Sequence, residues 1–240
     1  MELAAQDISF GYKGAEYPLF YKLNLKIDKP GFYSLFGFSG CGKSTLAKII
    51  AGSLHPTHGK IATQDINTIL LCYNTERLPG WLSIGRHLES VLPKDSLKDE
   101  LDNFINTFGL KHLLNKKFFR LSMGQKNRVN LVRYLLQEFD VLICDEALAN
   151  VDEPSRNWIL SVIKDRFCSE KIILYISHNI EEVCFFSKKI FILPSGGNPI
   201  GRLIEIEGMD GIKKNGHQDV EGHLQSLILE VLKAASSNQM

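Results

Sequence analysis

The chain has 240 residues, 44% hydrophobic and 23% charged, enough to bury one large core and without the composition of extended disorder or any demand for two independent domains. Its 28 basic and 27 acidic residues leave a net charge of +1, which excludes a global field able to hold nucleic acid or an anionic bilayer, so a partner must be recognised by local shape. No run of roughly 18 apolar residues occurs, MELAAQDISF lacks the pattern of an export signal, and cysteines 41, 72, 144, 168 and 184 show no paired spacing, so a single reduced, cytosolic unit is expected.

From Ile8 to Ile27 short apolar and aromatic stretches are broken by Gly11, Gly14 and Pro18, which predicts a small antiparallel β region. The run Phe32 to Phe36 predicts a strand that enters a glycine-rich loop, and Leu46, Ile49 and Ile50 predict a helix ended by Gly52. From about residue 82 to 138 the spacing is helical, through Leu88, Val91 and Leu92, then Leu101, Phe104, Ile105 and Phe108, then Val129, Val132 and Leu136; this predicts a helical insertion. Two apolar runs, VLIC (141–144) and IILYI (172–176), flank a helical stretch containing Trp158, Ile159, Val162 and Ile163 and predict buried parallel strands. A last strand is expected at 190–193, a turn at SGGNP, and an amphipathic helix over about 220–236, from Val220, Leu224, Leu227, Ile228, Val231 and Leu232, that packs on the core.

Gly37, Phe38, Ser39, Gly40, Cys41, Gly42, Lys43 and Ser44 satisfy G-x-x-x-x-G-K-[ST] between a predicted strand and a predicted helix, which Thr45 continues. Such a loop holds phosphates on backbone N–H groups at a helix N-terminus; glycine lets the backbone approach, the lysine suits the β and γ oxygens, and the serine hydroxyl suits magnesium. A glycine-rich turn with a chance lysine is the alternative, and the strand-loop-helix context counts against it. Asp145 and Glu146 end the apolar run VLIC, where ligands gather in open α/β sheets. Strand alternation is expected to aim them apart, Asp145 at the magnesium shell and Glu146 at the γ-phosphate and an attacking water; the alternative is a solvated strand end.

Leu121, Ser122, Met123, Gly124 and Gln125 resemble the LSGGQ signature of ABC ATPases, and the following KNRVNLVRYLL, with Arg128, resembles that family's signature helix. Near a helix start, Ser122 and Gly124 offer a hydroxyl, an N–H and a positive dipole end suited to a γ-phosphate, or else simply a helix cap. The resemblance covers nearly the whole chain. It implies head-to-tail pairing in which the signature of one subunit, with Gln125, closes over the ATP of the other. It further implies that Tyr12 stacks on adenine, Asp152 in ANVD bridges the subunits, and His178 contacts the γ-phosphate. Three positions depart from the pattern: Asn74 stands for the glutamine that touches magnesium and senses the membrane partner, Met123 for the first signature glycine, and Ala147 for a proline. ERLPGWLSIGRHL, with Trp81, and SHNIEEVCFFSKKIFIL resemble the ATPases of nitrate, sulfonate and taurine importers. His55, His58, His87, His112, His217 and His223 show no ligand spacing and are expected on the surface or in the core.

The expectation is therefore one α/β domain over 1–240, with a mostly parallel P-loop NTPase core, an antiparallel β subdomain and a helical insertion. By resemblance it is an MgATP-hydrolysing subunit with Lys43, Glu146 and His178 in catalysis and Ser44, Asp145 and Asn74 at magnesium. It would dimerise with a second copy and drive integral membrane permease subunits from the inner face of the membrane, most in keeping with a bacterial importer of small anions. A soluble non-transport ABC ATPase and an ATP-binding regulatory subunit with little turnover are the alternatives.

Overall fold

The structure, a computed structural model, describes residues 1–74, 77–93, 98–194, 199–210 and 220–236. Most of the expected SGGNP turn and His217 lie outside the described residues. β1 (Glu2–Phe10), β2 (Phe20–Ile27) and β4 (His58–Gln64) form an antiparallel sheet in the order β2-β1-β4. β3 (Gly31–Phe36), β5 (Ile69–Tyr73), β6 (Val141–Asp145), β7 (Ile172–Ile176), β8 (Lys189–Ile192) and β9 (Ile204–Glu207) form a six-stranded sheet in the order β5-β6-β7-β3-β8-β9. All its neighbours are parallel except β8 and β9, which pair antiparallel at one edge.

The α/β architecture is the expected one, and its cause is visible in the burial. Strands β3, β6 and β7 are buried at every position because both faces of the sheet are covered. Alternate residues serve opposite cores. Leu142, Cys144, Ile173 and Tyr175 join the helical side, while Val141, Ile143, Ile172, Leu174 and Ile176 pack towards α1 (Lys43–Ile50) and the antiparallel sheet. The helical lobe holds α2 (Ile84–Glu89), α3 (Lys98–Thr107), short 3-10 turns at Lys111–Leu113 and Phe118–Arg120, and α4 (Met123–Leu135). α5 (Glu153–Phe167) and α6 (Ile180–Phe186) connect the later strands. α7 (Val220–Ser236) docks Leu227, Val231 and Ala235 against Val183 and Cys184 of α6 and Ile190 and Ile192 of β8, as its periodicity predicts.

Three strands are absent from the sequence-based assignment. β4 carries a largely exposed, weakly patterned segment, and β9 is a four-residue edge with two glutamates. β5 is apolar but only five residues long, too short for periodicity to separate strand from helix. Its register matters for the site: Tyr73 pairs with Asp145, Asp145 with Ile176, and Ile176 with Leu35, so the carboxyl ends of four strands reach one level.

Candidate nucleotide site

At that edge β3 runs into the loop 37–42 and α1. Gly42 is the N-cap of α1 at φ 101°, and no side chain caps the helix. The first-turn amides of a helix have no partner within it, so the amino end of α1 presents unpaired donors and the positive end of its dipole. A Cβ at Gly42 would lie 2.8 Å from the Phe20 ring and 2.9 Å from Leu19, and one at Gly37 would lie 2.6 Å from the Leu193 carbonyl. The loop therefore keeps glycine for close packing as well as for backbone shape. Lys43, only 5% exposed, folds back so that Nζ donates to the carbonyls of Gly37 at 2.7 Å and Phe38 at 3.0 Å. Thr45 shares a 2.8 Å hydrogen bond with the Tyr12 hydroxyl, while the Tyr12 ring, set edge-on against Phe10, stays largely exposed.

Asp145 ends β6 and is 8% exposed, with Oδ1 buried and lacking a hydrogen-bond partner. Burial pushes its carboxyl pKa up; the charge of Glu146 adds to that push, and the Ser44 hydroxyl and Lys43 oppose it. Glu146 leaves the strand at φ 52°, a left-handed conformation unusual for a residue with a side chain. β6 ends at Asp145, so the direction of Glu146 is set by this left-handed turn and not by the strand alternation expected to set it. Glu146 Oε1 lies 2.6 Å from His178 Nε2, just past the end of β7.

Ser122 caps α4 and forms a full capping box with Gln125: the Gln125 N–H donates to Ser122 Oγ at 3.3 Å and the Ser122 N–H to Gln125 Oε1 at 3.1 Å. Gly124 abuts the loop before α5, where an added Cβ would lie 2.4 Å from the Asn150 carbonyl. Within one chain these residues thus cap and pack their own helix. Asp152 caps α5 by accepting from the Ser155 N–H at 3.0 Å. Ser122, Gly124 and Gln125 are not brought to loop 37–45 by any described contact.

A model of the ABC transporter family matches residues 20–149, more than half of the chain, from β2 through the phosphate loop and helical lobe to the acidic pair. The chain belongs to the ABC transporter family. Among curated relatives, the molybdenum import ATP-binding protein ModC of Photorhabdus laumondii is 29% identical over 206 residues, 78% of this chain and 58% of that protein. ModC of Brucella suis is 33% identical over 69% of this chain and 51% of its own length. The bicarbonate transport ATP-binding protein CmpC of Synechocystis is 30% identical over 81% of this chain and 31% of its own. This ABC chain thus spans between about a third and three fifths of the relatives it matches. A solved ATP-binding subunit of an ABC transporter superposes with TM-score 0.78 at 21% identity, covering 97% of this chain and all of that one. A dimeric ATP-binding cassette bound to ADP and Pi superposes at 0.71 and 20% identity, covering 85% of this chain and 98% of its own. At such identities the likeness is one of fold.

In this ABC chain the three departures from the family pattern fall in different surroundings. Asn74 follows β5 and lines a cavity of about 410 Å³ with Arg77, Leu78, Phe119, Met123 and Lys126. Met123 and Phe119 are exposed there, as is Trp81 nearby in the chain. Ala147 is buried against the helical-side core. The five cysteines are free, and burial pushes the thiols of Cys144, Cys168 and Cys184 up to about 12. His87 is buried with Nε2 2.8 Å from the Pro79 carbonyl, a core histidine as the spacing suggests. Sequence reasoning passed over Arg156 and Glu182, which form an ion pair between a half-buried guanidinium and a buried carboxylate. Nothing in the helical periodicity of EPSRNW or IEEVCFF separates these two from charged residues that face solvent.

Proposed function

We propose that the chain binds MgATP at the carboxyl edge of its six-stranded sheet and hydrolyses it as the ATP-binding subunit of an ABC importer of small anions. What carries the reading is one juxtaposition: the uncapped amino end of α1 beside Ser44 and an acidic residue whose buried Oδ1 has no partner. Hard oxygen donors of this kind fit magnesium, so Ser44 and Asp145 are assigned to hold it, with Asn74 a further donor through its amide oxygen. Magnesium, when bound, neutralises charge on the phosphate oxygens.

The chain's own groups have distinct tasks in this reading. The amides of residues 37–45 surround the triphosphate, and Lys43 exchanges its two carbonyl acceptors for phosphate oxygens. Tyr12, tied through its hydroxyl to Thr45, offers an exposed ring for adenine. Glu146 orients the attacking water and His178 steadies both that carboxylate and the γ-phosphoryl oxygens, two partners within hydrogen-bond reach of each other. A second copy supplies Ser122, Gly124 and Gln125, whose capped helix start points a positive dipole at the γ-phosphate.

Exposed Phe119 and Met123 beside Asn74, together with exposed Trp81 a few residues further along the chain, support docking of an integral membrane permease on this face, and hence a peripheral place at the inner surface of the membrane. Relatives named for molybdenum import and bicarbonate transport support a small-anion cargo. Within that class the resemblance around Trp81 favours nitrate, sulfonate or taurine. A regulatory subunit with little turnover is the second reading, favoured by Met123 at the first turn of α4, where a bulky side chain meets the approaching phosphate. Magnesium-dependent ATP turnover by the purified chain, together with co-purification of a multispanning permease, tests the proposal. Tight MgATP binding without turnover would instead select the regulatory reading.

A further inference from the structure

Glu182 on α6 is 3% exposed and is the meeting point of three segments. It forms an ion pair with Arg156 Nε, accepts from the Tyr175 hydroxyl at 2.8 Å, and accepts from Ser177 Oγ at 3.3 Å. Arg156 has a second bond, from Nη1 to the Val151 carbonyl at 3.1 Å, in the loop that runs from Ala149 to Asp152. Ser177 Oγ in turn accepts from the Asn179 N–H at 3.0 Å, so both neighbours of His178 belong to the network. A cavity of about 320 Å³ is lined by Glu146, Ala149, Arg156, Tyr175, Ser177 and His178, so Arg156 and Glu182's partners Tyr175 and Ser177 border the same space as the Glu146–His178 contact. The loop is also braced from its other side, where Gly124 leaves no room beside the Asn150 carbonyl.

Stability is a poor reason for burying such a pair. The desolvation of two charges commonly cancels their attraction, and well-packed apolar replacements are often neutral or stabilising. A guanidinium that reaches two acceptors with fixed geometry is suited to something else, namely holding two loops at a constant distance. We infer that Arg156 and Glu182 are positioning residues for ATP hydrolysis, coupling the loop 149–152, packed on the signature helix α4, to the placement of His178 against Glu146. This rests on the MgATP reading above. In that frame a partner copy that seats Asp152 and α4 also sets His178, because the two contacts share one buried carboxylate.

The test compares four full-length proteins: the wild type, Glu182→Gln, the double variant Arg156→Met/Glu182→Leu, and Ser177→Ala. For each, kcat and KM for ATP, MgATP binding by calorimetry, and the thermal midpoint are measured. In the double variant we expect a midpoint at or above wild type, KM within about twofold and kcat lowered by about tenfold or more, since sub-ångström misplacement acts on turnover rather than on nucleotide binding. Wild-type kcat in that variant, or in Glu182→Gln, overturns the inference. Should both fail to fold, Ser177→Ala decides: kcat lowered about threefold or more at an unchanged midpoint supports the coupling, and unchanged kcat overturns it. A wild type that neither binds nor hydrolyses ATP would sink the MgATP reading instead. In that event the His178 ring resonances, recorded by NMR at one fixed pH in the nucleotide-free chain, still judge the pair. Resonances displaced from wild type in Glu182→Gln are expected, and unmoved ones overturn the inference.

Discussion

Glu146 Oε1 sits 2.6 Å from His178 Nε2, and this contact joins the carboxyl ends of two neighbouring parallel strands, β6 and β7. The glutamate makes it from φ 52°, a conformation that costs on the order of 1–3 kcal/mol in a residue with a side chain. Strain held at such a point is expected where geometry serves chemistry more than stability. Replacing Glu146 with glutamine keeps the shape and removes the carboxylate. We expect ATP turnover to fall by about 10² or more while MgATP binding survives and a stable dimer forms at saturating MgATP. Phosphate release and size-exclusion chromatography check both halves, and a protein that remains monomeric under those conditions contradicts the head-to-tail pairing of two copies over ATP.

Gly42 is the second position at which backbone conformation governs the site. At φ 101° and with the Phe20 ring 2.8 Å from an added Cβ, Gly42→Ala meets both backbone strain and a clash. A loss of about 1–3 kcal/mol in folding stability is expected, together with loss of ATP binding as the amino end of α1 shifts. Thermal unfolding with and without MgATP measures both; a variant still stabilised by nucleotide as strongly as the wild type would show that the loop geometry is not needed.

Asp145 makes a prediction of opposite sign. Burial holds its folded pKa above the ordinary carboxylate value, so ionisation works against folding; the stability it contributes is full at low pH and is lost as pH rises through the folded pKa. Asp145→Asn should therefore raise the thermal midpoint of the ligand-free chain at pH 7, leave it little changed below the carboxylate range, and abolish the extra stabilisation given by magnesium with ATP. Midpoints recorded across pH, with and without MgATP, check this. A variant less stable than the wild type at pH 7 without ligand counts against the argument.

Asp140 behaves the other way. Its Oδ2 accepts from the N–H groups of Asn67 at 2.7 Å and Thr68 at 3.1 Å, and Oδ1 lies 3.5 Å from Lys171 Nζ. The backbone donors lead in holding its pKa below the usual carboxylate range, so its contribution is present above about pH 4 and fades as pH falls through the folded pKa. Asp140→Ala should cost about 2 kcal/mol at pH 7, from two lost charge-assisted bonds at the entry to β5, and progressively less in acid. Denaturant titrations at pH 7 and pH 3 measure the difference; an equal cost at both would show that the charge is not what matters.

Much of the fold and site was legible from residues in order along the chain. The phosphate loop could be read because its requirement, glycines at 37, 40 and 42 ahead of Lys43, is met within one short segment whose backbone shape those residues set. The buried strands at 141–145 and 172–176 and the last helix could be read because continuous apolar runs and a regular apolar stripe reflect burial directly. Other features depended on contacts between distant segments. That Asn74 reaches the level of Asp145 follows from the pairing of β5 with β6, strands about seventy residues apart. The direction of Glu146 follows from a single left-handed residue that no periodicity announces, and Gly124 owes its packing role to a carbonyl at Asn150. Arg156 and Glu182 look like solvated charges on amphipathic helices until the fold encloses them. A local pattern records what one segment demands of its own backbone and of an undifferentiated core. Which polar group meets which across that core is set by the stacking of strands and helices, and it acquires an address only when the whole chain is packed.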